Sequence, residues 1–132
     1  MALSDFSIFY DNENKVVIAK IISKYANLND PTFYIDSTEL IRKLLIENNC
    51  FKLFADYSLI GIQMSYDMEY YYAKNINKVF DYPDGTISSI YEGEFYSKKK
   101  WALIKNIFKE DGVTNIEFFG DYDEAMAWLK SK

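Results

Sequence analysis

Phe51-Lys52-Leu53-Phe54-Ala55-Asp56-Tyr57-Ser58 is the stretch whose reading decides the fold. Its apolar run has the composition of a buried strand. Asp56 and Ser58 then supply turn chemistry, because short polar side chains bond to nearby backbone. Helix-like segments lie on both sides, so the stretch reads as the centre of a mixed α/β sheet.

Outward from it, Phe6–Tyr10 and Val16–Ile22 are β-rich runs around the turn formers 11–15, which predicts an antiparallel hairpin. Two helix starts compete after the hairpin. Asp30-Pro31 is an N-cap and first-turn pair, and Asp36-Ser37-Thr38-Glu39 carries a capping signature. The start at Pro31 is preferred. Leu40, Ile41, Leu44 and Leu45 give that helix its apolar stripe, and Asn48-Asn49 its left-handed stop.

Beyond the central strand a helix is expected from Ser65, with Met68, Tyr72, Ile76, Val79 and Phe80 on one face, ended by Pro83-Asp84-Gly85. A fourth strand follows at 86–91. A helix at 95–109 turns Trp101, Ile104, Ile107 and Phe108 inward, and Gly112 stops it. A fifth strand is read at 113–119. Asp121-Tyr122-Asp123-Glu124 caps a last short helix carrying Ala125, Trp128 and Leu129. The order β-β-α-β-α-β-α-β-α predicts a sheet of about five strands. An N-terminal antiparallel hairpin leads into parallel βα units, with helices on both faces.

A length of 132 residues suits one domain spanning 1–132 with one hydrophobic core. The net charge of −5 argues against nucleic acid, whose phosphates need a basic footprint, and against an anionic membrane surface. Lys98-Lys99-Lys100 reads as a solvated helix face. There is no histidine and one cysteine, Cys50, which removes histidine triads, zinc sites built on His or several Cys, and an internal disulfide. Cys50 reads as a small buried residue. The first residues show no signal peptide and no apolar run is long enough for membrane insertion, so the expected location is cytoplasmic. No cofactor and no catalytic residue are expected.

The tail Asn115-Ile116-Glu117-Phe118-Phe119-Gly120-Asp121-Tyr122-Asp123-Glu124-Ala125-Met126-Ala127-Trp128-Leu129 resembles the close of STAS-like domains, the bacterial anti-sigma-factor antagonists and their SpoIIAA-like and SEC14-like relatives. The paired first strands and the strand-turn-helix from Phe51 fit the same outline. The resemblance implies partner binding without chemistry, and in the antagonists a phosphorylated serine after the third strand. That serine lies in an Asp-Ser-Ser-Gly-type turn. Here Asp56-Tyr57-Ser58-Leu59-Ile60-Gly61 stands at the corresponding place, keeping only the Asp-x-Ser-x-x-Gly outline. Ser58 is the phosphorylation candidate, against a local role satisfying backbone groups.

Ligands of parallel α/β sheets sit beyond the carboxyl ends of the strands. Asp56, Glu92, Glu94, Asp121 and Asp123 fall there, an acidic rim that could serve a hard cation or acid–base chemistry. Capping and the helix dipole account for most of these acids without a ligand, so no metal site is assigned. Twelve tyrosines, ten phenylalanines and two tryptophans exceed what a small core needs, and Tyr66, Tyr70, Tyr71 and Tyr72 crowd one helix. Such residues favour a protein partner or self-association as a homodimer. The expected function is therefore non-enzymatic binding through Asp56, Tyr57, Ser58, Tyr66 and Tyr70. The alternative is a site for a small apolar or lipid-like ligand, and behind it a metal-dependent enzyme using the acidic rim.

Overall fold

In the computed structural model the described residues are 5–26, 31–61, 82–110, 112 and 115–132. Five strands form one sheet in chain order: β1 (Phe6–Asp11), β2 (Val16–Ile21), β3 (Lys52–Asp56), β4 (Ile87–Tyr91) and β5 (Ile116–Phe119). β1 and β2 are antiparallel, and every other pair is parallel. The hairpin closes through Asp11, whose carboxylate accepts the N–H groups of Glu13 and Asn14 and the side-chain amide of Asn14. Those bonds hold the Asp11 carboxyl below its ordinary range, the Asn14 side chain contributing most.

Among the described residues three helices pack on this sheet: α1 (Pro31–Glu47), α2 (Lys98–Glu110) and α3 (Tyr122–Lys130). α1 starts at the earlier of the two competing signals and stops where Asn49 takes a positive φ of 48°. The helix read from Ser65, with Tyr66 and Tyr70, lies outside the described residues.

The two faces are covered differently. Each parallel strand is added on the same side of the last, so crossovers of one hand fall on one face. α1 and α2 both lie there, burying Ile41, Leu45, Trp101, Ile104 and Phe108 against Val17, Ala19, Leu53, Ala55, Ile90 and Phe118. The indole of Trp101 stacks on Phe118 with ring centroids 3.9 Å apart. α3 folds back over the other face, where Ala125 and Leu129 pack on Val16 and Phe54. It is anchored by the buried hydroxyl of Ser89, which donates to the Ala125 carbonyl at 2.9 Å. α3 covers β3, β4 and β5, leaving Phe9 on β1 45% exposed on that face.

Local readings needed small corrections. α2 begins at Lys98 rather than at Phe95, because a 3₁₀ turn at Gly93–Phe95 comes first and Ser97 Oγ accepts the Lys100 N–H. β5 begins at Ile116. Cys50 is half-buried.

Candidate functional site

β3 ends at Asp56, and the structure explains how that end is built. The side chain of Asp56 is buried, and its Oδ1 accepts both the backbone N–H and the hydroxyl of Ser58, at 2.9 and 2.6 Å. This is a local turn in which a carboxylate replaces backbone acceptors. Tyr57 continues the ladder, donating its N–H to the Tyr91 carbonyl at 2.8 Å. Its ring enters the core, edge-on to Phe6 with centroids 6.3 Å apart. Of the expected binding residues, Asp56 and Tyr57 are therefore mostly enclosed, and Ser58 has its hydroxyl engaged.

The loops beyond β3, β4 and β5 close on one another. Gly61 has a positive φ of 68°, and a Cβ built there would lie 2.4 Å from the Phe95 Cβ. Gly93 lies so close to Ser58 that an added Cβ would meet that side chain at 3.2 Å. Gly120 stands in the same relation to Tyr96, at 3.1 Å. Glycine lets backbone and side chain approach to this degree. Rings and tight turns thus occupy the place where ligands of parallel sheets commonly sit.

Three acids of this rim, Asp56, Glu92 and Asp121, are separately engaged, while Glu94 and Asp123 are exposed. Glu92 is fully buried, and its Oε2 takes the Lys100 ammonium at 2.6 Å. This corrects the reading of Lys98–Lys100 as a solvated run, since Lys100 is turned inward to Glu92 while Lys98 and Lys99 are exposed. Asp121 caps α3 by accepting the Asp123 N–H at 2.9 Å. Among the described residues no three acidic or thiol groups converge to hold a metal ion.

Beside Asp56 the Tyr122 ring packs on Phe54 and Tyr91, with centroids 5.1 and 5.5 Å away. Burial, and then the charges of Asp56, Asp11 and Asp123, push the Tyr122 hydroxyl above its ordinary pKa.

The rim shows water both acids, Glu94, Asp121 and Asp123, and large apolar side chains. Ile22, immediately after β2, is 54% exposed, Leu59 after β3 is 45% exposed, and Phe95 after β4 is 37% exposed. The strand register sets these positions at one end of the sheet. Sequence reading passed over all three. Ile22 reads as the last residue of a strand, Leu59 belongs to an ambiguous apolar run, and Phe95 reads as the start of a helix.

A cleft of about 350 Å³ lies at the opposite end, lined by Tyr10, Lys15, Asn48, Asn49, Cys50, Phe51 and Lys52. The Cys50 sulfur lies within 3.5 Å of the Lys15 carbonyl and the Lys52 N–H. No helix among the described residues is long and apolar enough to cross a membrane. Comparison of the chain with protein-family models, with curated proteins and with solved structures returns no match.

Proposed function

We propose that this chain is a non-enzymatic binding or regulatory domain, STAS-like and cytoplasmic, that docks a partner protein at the carboxyl end of its sheet. The observation that carries the reading is the contrast within that rim. Three of its five acids serve the fold, Asp56 toward Ser58, Glu92 toward Lys100 and Asp121 as a cap. Its large exposed apolar side chains are Ile22, Leu59 and Phe95, which stand among the exposed acids Glu94, Asp121 and Asp123. General acid–base catalysis needs a titrating group within reach of substrate. Three large apolar side chains exposed around the enclosed Asp56 and Glu92 suit contact with another surface instead. The element order and the Asp-x-Ser-x-x-Gly outline support the STAS-like part of the reading. Ser58 takes a positioning role in it, since its hydroxyl is already donated to Asp56.

The test is affinity capture on the immobilised chain, comparing wild type with Leu59→Lys. Leu59 is half outside, so the variant should keep its melting temperature. Proteins retained by the wild type should be depleted by about tenfold or more, the effect of losing a well-packed interface side chain. Equal retention by both forms would remove the rim from the function.

A further inference from the structure

The outer edge of β1 is a second surface, distinct from the rim. β1 is a terminal strand of the sheet, paired on its inner side with β2. The Ile22 N–H donates to the Asp5 carbonyl at 2.9 Å, and this fixes the phase of the antiparallel ladder. Asp5, Ser7, Phe9 and Asp11 turn their backbone groups toward β2, whereas Phe6, Ile8 and Tyr10 turn theirs outward.

Edge strands normally carry something that blocks further pairing: a lysine, a proline, a bulge or very short length. β5, at the other edge, has such protection. It is four residues long, and its Glu117 is bridged to Lys105 at 3.3 Å and accepts the Trp101 indole N–H. β1 has none. Residues 6–10 are uncharged, contain neither proline nor glycine, and pair one-to-one with β2 without a bulge. In the middle stands Phe9, 45% exposed on the face that α3 leaves open.

We infer that β1 pairs antiparallel with β1 of a second copy about a two-fold axis, joining two five-stranded sheets into one. This goes beyond the rim reading and does not depend on it. The strand's own sequence selects the occupant. A two-fold pair must set outward-facing backbone groups against one another and keep opposed side chains on the same face. Centring on Ile8 does so, but brings Asp5 opposite Asp11 of the second copy, a like-charge pair. Centring on Phe9 sets ring against ring, Ile8 against Tyr10, and the Ser7 hydroxyl against the Asp11 carboxylate. Each Ile8–Tyr10 pair then exchanges both of its N–H···O bonds. The register on Phe9 meets like charges only at the turn, where Asp5 comes opposite Glu13, leaves Asp11 opposite a hydroxyl, and covers the exposed ring.

Sedimentation equilibrium of the full chain tests this. The wild type should be a dimer. Phe9→Lys and Phe9→Glu should each weaken self-association by at least about tenfold, because like charges then stand opposite where two rings met. Mixing the two variants should restore a one-to-one heterodimer. Amide exchange reads the same contact without a substitution. The Ile8 and Tyr10 N–H groups should slow as wild-type concentration rises, while Ser7 and Phe9, bonded to β2, stay slow throughout. A monomeric wild type overturns the inference, as does a dimer that neither variant weakens, or a variant mixture that fails to associate. Fast exchange of Ile8 and Tyr10 at every concentration overturns it as well.

Discussion

Gly61→Ala probes the closure of the carboxyl rim directly. Gly61 sits at a φ of 68°, and its missing Cβ would lie 2.4 Å from the Cβ and 2.7 Å from the Cγ of Phe95. Two effects add. Holding alanine in the left-handed region costs about 1–2 kcal/mol. The steric overlap adds about 1–3 kcal/mol, because a Cβ cannot rotate away as a ring tip can. A sum near ~3 kcal/mol lowers Tm by roughly 10 °C for a domain of this size. Gly85 is the control, at a φ of 85° with nothing within 4 Å of a built Cβ. Gly85→Ala should therefore show the backbone effect alone, about 1–2 kcal/mol. Thermal and urea unfolding of both variants gives the comparison. Placing Gly61→Ala in a Phe95→Gly background, which removes the obstructing atoms, should bring its effect down to that of Gly85→Ala. Equal losses for the two alanine variants in the wild-type background would refute the closed rim.

Three further outcomes follow from the same geometry. Lys100→Met should destabilise by about 2 kcal/mol and more than Glu92→Gln, because it leaves a buried carboxylate without its ammonium, while the part-exposed lysine can turn to water; the order of the two urea midpoints checks this. Ser58→Glu should cost about 1–2 kcal/mol, since it removes the bond to Asp56 and sets a second negative charge beside that carboxylate; a neutral effect in the same assay would leave room for a phosphate there. Burial pushes the Tyr82 hydroxyl up, against a hydrogen bond from the Thr38 side chain that lowers it, and Tyr122 is raised chiefly by burial. The unfolded chain then ionises first, near pH ~10, so stability is unchanged below that value and falls as pH rises beyond it; a urea midpoint constant from about pH 9 to 11 would contradict both shifts.

Local chemistry was the legible part of this sequence. The hairpin, the α1 start at Pro31, its stop at Asn49 and the Asp121 cap each rest on residues a few positions apart. The inward faces of α1 and α2 follow from helical spacing, and Ile41, Leu45, Trp101, Ile104 and Phe108 are buried as that spacing requires. Alternation of strands and helices was enough for the mixed sheet. The rim was not legible, because its contacts join separate loops. Glu92 reads as one more acid after a strand, and its pairing depends on where α2 begins. α2 starts three residues later than its apolar spacing suggests, because a turn at Gly93–Phe95 precedes it. Gly61 looks like an isolated glycine until Phe95 is brought against it. The acidic rim was legible as composition; that Asp56, Glu92 and Asp121 are engaged by Ser58, Lys100 and the Asp123 N–H respectively was not, because those contacts depend on the folded turns.

A thermal-shift panel on the purified chain, with Mg²⁺, Mn²⁺, Ca²⁺, nucleotides, fatty acids and phospholipids, tests the central claim that this rim is built for contact and not for chemistry. A ligand present at 100 times its dissociation constant adds about 2.7 kcal/mol, a rise of roughly 10 °C here. The account predicts a flat panel, with Leu59→Lys losing only protein partners. A rise with a divalent cation that disappears in Asp56→Asn would contradict it, because Asp56 would then be serving a ligand and not its own turn.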